Sequence, residues 1–341
     1  MILSRALYSP SLGLKLVSVW KGVILKAAII LNQGQNPVYG DFKDPMATSD
    51  QHIIRVQASS ISQITKARAS ATHYSSDSEV PFIPGFDGVG TLEDGSSVYF
   101  LLPKNPYGAM AEYCLVDKEH YLLIPNTLSP EVAAAMAIPG MSSWAACIEQ
   151  AQMVGGETIL INGASGISGR LAIQIAKYLG AKKIIATARR LELFEELYAL
   201  GADRCIQLTE NVTKMEEELA NEFKLGVHIV LDYLWGPSAL SLINVVTKNS
   251  PPKMPIKLIQ IGSISGATIP LSGAVLRSSC LQLMGSGLGS LSIAQMLNSV
   301  FEVLKNAPTA GFKINTQQMP LSHVASAWGA TKSEVRTVLM P

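Results

Sequence analysis

The chain has 341 residues, 27 basic against 26 acidic, with 48% apolar and 16% charged side chains. That length exceeds the roughly 100–200 residues of one ordinary domain and points to two, while the high apolar share with few charges argues against a disordered chain. A net charge of +1 without a run of Lys and Arg leaves no electrostatic footprint for nucleic acid as a partner.

Cys114, Cys147, Cys205 and Cys280 lie far apart with no CxxC pair. They argue against a disulfide framework or a zinc ribbon and read as buried free thiols in a reducing compartment.

Residues 1–25 carry Arg5, Lys15 and Lys21, and the first acid is Asp41. Three readings fit them: a targeting segment, an ordered extra strand, or a start codon placed too far upstream. The apolar stretch 12–31 is broken by Lys15, Lys21 and Lys26, short of the roughly 18 uncharged apolar residues a membrane span needs. No membrane partner is expected, and the location expected is cytoplasmic, with organellar targeting by residues 1–25 open.

Residues 26–31 and 52–58 read as strands. A Pro- and Gly-rich part follows, with short strands at 88–92, 96–102 and 111–116 and no helix over 80–125, which makes this region mainly β. From about residue 130 the texture changes. Ser129 and Pro130 suit the cap and first position of a helix over 130–136, and a second helix is expected over 142–152. Strands at 158–162, 183–187, 204–207, 227–232 and 256–261 then alternate with helices at 167–179, 191–200, 213–223 and 237–247. A strand at 281–285 and a helix at 292–305 continue the pattern, and the last thirty residues return to short extended segments. Continuous apolar strands alternating with helices predict a doubly wound α/β domain with a parallel sheet covered on both faces.

The first chemistry-bearing motif is Gly163-Ala164-Ser165-Gly166-Ile167-Ser168-Gly169, directly after the strand 158–162 and opening the helix 167–179. A diphosphate needs close backbone N–H donors. Glycine lets the backbone approach, and a helix start adds unpaired N–H groups and a favourable dipole. The motif in this context predicts dinucleotide binding. NAD sites place an acid near the end of the second strand. Here the chain reads Ile185-Ala186-Thr187-Ala188-Arg189-Arg190. Guanidinium groups bind a ribose 2′-phosphate in two-pronged fashion, which favours NADPH through Arg189 and Arg190. The competing reading has both arginines facing solvent at the start of the next helix.

The chain resembles the medium-chain dehydrogenase/reductase superfamily, in its zinc-free quinone oxidoreductase branch. The resemblance rests on Pro84-Gly85-Phe86-Asp87-Gly88-Val89-Gly90, Tyr107-Gly108-Ala109-Met110-Ala111-Glu112-Tyr113, Pro139-Gly140-Met141-Ser142-Ser143-Trp144, the glycine turn, and Gly201-Ala202-Asp203. It implies a Rossmann doubly wound parallel sheet over 136–290. A chaperonin-like (GroES-like) mainly-β domain would occupy 26–135 together with 291–341. It also implies a homodimer through the strand near 281–285. Zinc-binding relatives carry ligands where this chain has the segment around Ser62, Phe86 and Ile138, so no catalytic zinc is expected. His52, His73, His120, His228 and His323 do not cluster in sequence.

The resemblance implies reduction of a quinone or an α,β-unsaturated carbonyl, a small-molecule partner. Tyr74, in the loop before Pro84, is the leading candidate to bond the carbonyl and donate a proton, and the same phenol could equally pack the loop. Ser62 and Thr65 are further candidates, in places where quinone oxidoreductases often show Asn and Asp. Ser142 falls where relatives set a hydroxyl against the nicotinamide. Gly262-Ser263 and Gly285-Ser286 follow apolar strands at the edge where ligands of doubly wound folds bind. Tyr233 either roofs the cofactor or packs between domains. Rival functions are an enoyl-thioester reductase, a non-catalytic NADPH-binding sensor or structural protein, and a zinc alcohol dehydrogenase.

Overall fold

The computed structural model describes residues 24–73, 75–76, 79–329 and 334–341. In chain order the first elements are β1 (Leu25–Ile29), β2 (Val38–Phe42), β3 (Gln51–Ser60), α1 (Gln63–Ala69), β4 (Asp87–Thr91), β5 (Ser97–Leu101), β6 (Tyr113–Asp117) and β7 (Tyr121–Leu123). Then follow α2 (Pro130–Ala145), β8 (Thr158–Asn162), α3 (Ile167–Tyr178), β9 (Lys183–Ala188), α4 (Phe194–Leu200), β10 (Arg204–Gln207), α5 (Val212–Leu225), β11 (Ile229–Asp232), α6 (Gly236–Asn249) and β12 (Ile256–Gln260). The chain closes with α7 (Gly273–Ser278), β13 (Leu281–Gly285), α8 (Ile293–Ala310), β14 (Thr316–Pro320), α9 (Val324–Gly329) and β15 (Arg336–Met340).

Six strands form one parallel sheet in the order β10-β9-β8-β11-β12-β13. The second strand lies beside the first on one side and the fourth on the other, which is the Rossmann order. The strands β8 and β11 are buried along their whole length, which explains why they read as unbroken apolar runs. The second sheet runs β14-β15-β3-β4-β5-β7, with β6 also on β3, and is antiparallel except for the β14–β15 pair. Its last two strands return from the C-terminal end of the chain. The expected α/β fold with a mainly-β partner is therefore present.

Helices α2 and α8 lie between the two sheets. One apolar cluster joins Ala58, Phe86, Tyr99 and Leu101 of the β lobe to the alanines of α2, to Leu171 and Ile175 of α3, and to Val300 and Val303 of α8. Burying side chains of this size contributes about 1.5–3 kcal/mol each. By length and composition Pro130–Gln150 could also cross a membrane, but most of it is buried inside this body.

The structure corrects four details. The helices expected over 130–136 and 142–152 are one helix, α2, which runs through Pro139 and on into a π turn over Ala146–Gln150. A proline disrupts a helix by removing an N–H and crowding the preceding turn. Here the Ser142 and Ser143 hydroxyls both donate to the Pro139 carbonyl at 2.9 Å, and Gly140 faces Val303 so closely that a Cβ would meet it at 2.5 Å. Packing on α8 holds the helix together across the break. Ser129 stands at the N-cap, but its hydroxyl makes no capping bond. Of the cysteines, Cys114, Cys147 and Cys205 are buried, but Cys280, just before the edge strand β13, is exposed. The elements β2, β7, α1, α7 and α9 are additional to the sequence reading, α9 lying where only short extended segments are expected; each is short.

Candidate functional site

All six strands of the parallel sheet point their carboxyl ends at one edge, and the residues there are cross-linked. Asn162, last in β8, is the register partner of Asp232 in β11 and of Thr187 in β9. Its amide donates to Asp232 Oδ1 at 2.8 Å and accepts from Thr187 Oγ1 at 2.8 Å. The same Thr187 Oγ1 accepts from the Gly163 N–H at 3.1 Å, and the Ala164 N–H donates to the Thr187 carbonyl at 2.8 Å. Asp232 also receives the N–H groups of Leu234 and Trp235 at 3.0 and 3.1 Å. Burial pushes its carboxyl up, while these donors pull it back. Trp235 itself has φ +57°, a conformation rare for a large side chain, held by its bond to Asp232.

This lattice fixes the start of the glycine turn. Gly163 has φ +89°, and Gly169 lies so close to the turn that a Cβ would meet the Gly163 carbonyl at 2.5 Å. At Gly166 a Cβ would find its nearest atom at 3.9 Å, so that position opens outward. Gly166 is the N-cap of α3 and brings no side-chain cap. Among the described residues nothing accepts from the backbone N–H groups of Ser165, Gly166, Ile167 or Ser168. Four free donors at a half-buried helix start fit a diphosphate.

At the end of β9, Arg189 and Arg190 are both exposed. Arg190 is ion-paired with Glu334, and its Nε lies 3.8 Å from Glu192. The guanidinium of Arg189 has no partner among the described residues. Beneath them Arg170 of α3 donates from Nε to the Ser165 carbonyl at 2.7 Å and pairs with Glu196.

Toward the β lobe, Ser142 bonds its own helix, and Ser143 Oγ lies 2.8 Å from the Tyr233 hydroxyl. Burial pushes the Tyr233 phenol well above its usual range. Tyr233 therefore ties the loop after β11 to α2. Gly262 packs against the Tyr233 carbonyl, where a Cβ would meet it at 2.5 Å, and Ser263 is exposed beside it. Gly285 is exposed, whereas the Ser286 N–H donates to the Gln260 carbonyl at 2.9 Å and its buried hydroxyl has no partner. These residues share the carboxyl edge with the glycine turn.

Ser62 and Thr65 sit apart from that edge, at the start of α1. The two hydroxyls are 2.9 Å apart and buried, Ser62 caps α1 through the Thr65 N–H, and Phe86 N–H faces Thr65 Oγ1 at 3.4 Å. Both hydroxyls are engaged in local structure. Phe86 and Ile138 pack in the apolar cluster between the lobes with Ile64. No group of three metal-ligating side chains occurs among the described residues. Tyr74 lies outside the described residues; its neighbours His73 and Ser75 are bonded to one another, and Ser75 also to Arg68.

Sequence reasoning missed Asn162, Thr187, Asp232, Arg170 and the acids Glu196 and Glu334. The first three carried a signal, since each is a polar residue at the end of an apolar strand. It also missed Asp87, directly after Phe86. Asp87 is fully buried, and burial pushes its carboxyl up to about 7, against the Tyr99 hydroxyl at 3.2 Å and the charge of Arg336.

Comparison with known proteins agrees with this architecture. The profile of the family described as zinc-binding dehydrogenase matches residues 169–301. The chain is 25% identical over 354 aligned residues to the probable NADPH-dependent quinone reductase of Emericella nidulans, covering 89% of this chain and 96% of that one. It is 29% identical to the chloroplastic NADPH-dependent alkenal/one oxidoreductase of Arabidopsis thaliana over 51% of this chain and 49% of that one. The quinone oxidoreductase of Thermus thermophilus, solved alone and with NADPH, superposes with a TM-score of 0.76 at 23% identity, over 93% of this chain and 100% of that one. Fold, glycine turn and relatives together make the chain similar to the medium-chain dehydrogenase/reductase superfamily and, within it, to quinone oxidoreductases.

Proposed function

We propose that this protein is a zinc-independent, NADPH-dependent reductase that delivers hydride to a quinone or an α,β-unsaturated carbonyl. The observation that carries the reading is the open turn at 163–169, with free N–H groups at Ser165 to Ser168, beside a second strand that ends in Arg189 and Arg190 instead of an acid. The names of the Emericella and Arabidopsis relatives support the cofactor and both acceptor classes.

When bound, NADPH supplies the hydride. The residues of this chain hold and orient it. The N–H groups at 165–168 receive the diphosphate, and Arg189 and Arg190 receive the 2′-phosphate. Gly262, Ser263, Gly285, Ser286, Ser142 and Tyr233 border the nicotinamide side. The acceptor also takes up a proton, and Tyr74 is the proposed donor, with its phenol bonded to the substrate oxygen. Ser62 and Thr65 act by holding the start of α1 against Phe86. The apolar packing of Phe86, Ile138 and Ile64 supports a mechanism without zinc. We assign 136–290 to the cofactor domain and 26–135 with 291–341 to the catalytic domain. The edge strand β13 is the proposed homodimer seam.

A screen of quinones and enones, following the absorbance of the reduced nicotinamide with NADPH and NADH in parallel, tests this. Turnover with NADPH that survives a chelator is expected. Binding without turnover of any acceptor, or activity that vanishes with a chelator and returns with zinc, would overturn it.

A further inference from the structure

Two arginines and two glutamates meet beside the glycine turn. Arg170 projects from the first turns of α3, and Arg190 stands at the end of β9. Desolvation, and then the nearby charge of Arg190, lower the pKa of Arg170, so the two guanidinium groups feel each other. Each is neutralised from a different element, Arg170 by Glu196 of α4 and Arg190 by Glu334 just ahead of β15. The Arg170 side chain is only 7% exposed, and its Nη2 is buried without a partner. A cavity of about 520 Å³ opens here between α3, α4 and residues 310–315. Ile167, Arg170, Lys177, Lys313, Glu196 and Glu334 line it. The cavity thus begins at the first residue of α3, beside the donors assigned to the diphosphate.

We infer that Glu334 is a built-in competitor for the anionic end of the cofactor: its carboxylate occupies Arg190 where a ribose 2′-phosphate would bind, and so limits the preference for NADPH over NADH. The inference rests on the reading of this edge as the dinucleotide site. A guanidinium binds either a carboxylate or a phosphate through paired N–H donors, and not both on the same face. Seating a phosphate dianion on Arg190 therefore requires the Glu334 carboxylate to turn away, since like charges would otherwise stand side by side. The Glu334 side chain is 25% exposed. The protein is competent for the phosphate only in the fraction with the pair open, and the apparent dissociation constant rises by the inverse of that fraction. NADH carries no phosphate at this position and needs no displacement.

Calorimetric titration of the whole protein tests this, with NADPH, NADH and adenosine 2′-phosphate as probes. For an exposed ion pair, E334Q is expected to tighten NADPH and adenosine 2′-phosphate by about three- to tenfold and to leave NADH within about twofold. In the R190A background E334Q is expected to change nothing, because the competitor has lost its contested partner. If wild-type protein binds NADPH but E334Q leaves its affinity unchanged or weakens it, the role of Glu334 is overturned while the site stands. If wild-type protein binds neither dinucleotide, the site assignment falls first and this inference with it.

Discussion

Thr187 and Asn162, on adjacent strands of the parallel sheet, are register partners whose side chains meet at 2.8 Å, and the same Thr187 oxygen receives the first N–H of the glycine turn. The position of the turn is thus set by a side chain on the neighbouring strand, through one hydroxyl that donates once and accepts once. Thr187→Val keeps the shape and removes both bonds. Leaving the Asn162 carbonyl and the Gly163 N–H unsatisfied in a buried place costs about 1–3 kcal/mol. The expected outcome is a lower thermal midpoint together with NADPH binding weakened about tenfold. Unchanged affinity in a folded variant would show that the turn holds its geometry without Thr187.

The glycines of the turn separate stability from binding. Gly169→Ala puts a Cβ 2.5 Å from the Gly163 carbonyl and 2.6 Å from Ala164 Cα, both rigid backbone. Overpacking of this kind costs about 1–3 kcal/mol, so loss of stability is expected. Gly166→Ala meets nothing closer than 3.9 Å, and its φ of −74° suits any residue. That variant is expected to melt like wild type and to lose NADPH affinity, because its methyl group stands among the free N–H donors. Melting curves beside dinucleotide titrations of both variants decide the matter.

The parallel sheet was readable in the sequence. Strands such as 158–162 and 227–232 have apolar centres, Ile159–Ile161 and Ile229–Leu231, because both faces are covered, and an apolar run between turn signals announces that burial. The continuity of α2 was not readable. It depends on Gly140 fitting against Val303, which is tertiary packing. The partner of Arg190 lies 144 residues away in the chain, beyond any local pattern. Ser62 and Thr65 were candidates through the resemblance alone, and the bond between their hydroxyls at the start of α1 has no local signal in the sequence.

Arg189 and Arg190 differ in what surrounds them, and this makes a cofactor test. Arg190 is held by Glu334, whereas Arg189 has no partner among the described residues and has nothing to release before meeting a phosphate. Arg189→Ala is expected to raise the KM for NADPH about tenfold while leaving that for NADH and both kcat values near wild type, as expected when a charged contact of about 1.5–3 kcal/mol serves binding alone. Steady-state kinetics with both dinucleotides check it. Equal losses with NADPH and NADH would mean that Arg189 supports the fold of the site and does not read the phosphate.

Asp87 gives a prediction about pH. It lies under Phe86 with no exposure, its Oδ1 has no partner, and burial pushes its carboxyl up to about 7, although the Tyr99 hydroxyl and the Arg336 charge pull the other way. Arg336 is itself buried, and burial lowers it to about 10. An unfolded aspartate releases its proton near pH 4. Between about pH 4 and 7 the native state therefore holds a proton that the unfolded chain has lost, and stability declines as pH rises through that window and levels above it. The thermal midpoint is expected to fall between pH 5 and 8 by several degrees, since about 1 kcal/mol moves it by about 2–4 °C in domains of 150–250 residues. Asp87→Asn keeps an acceptor for the Tyr99 hydroxyl and removes the titration. Its midpoint is expected to be flatter with pH, because the neutral amide has no proton to lose between about pH 4 and 7. The slope is the readout. A variant that keeps the wild-type slope would assign the pH dependence to another group.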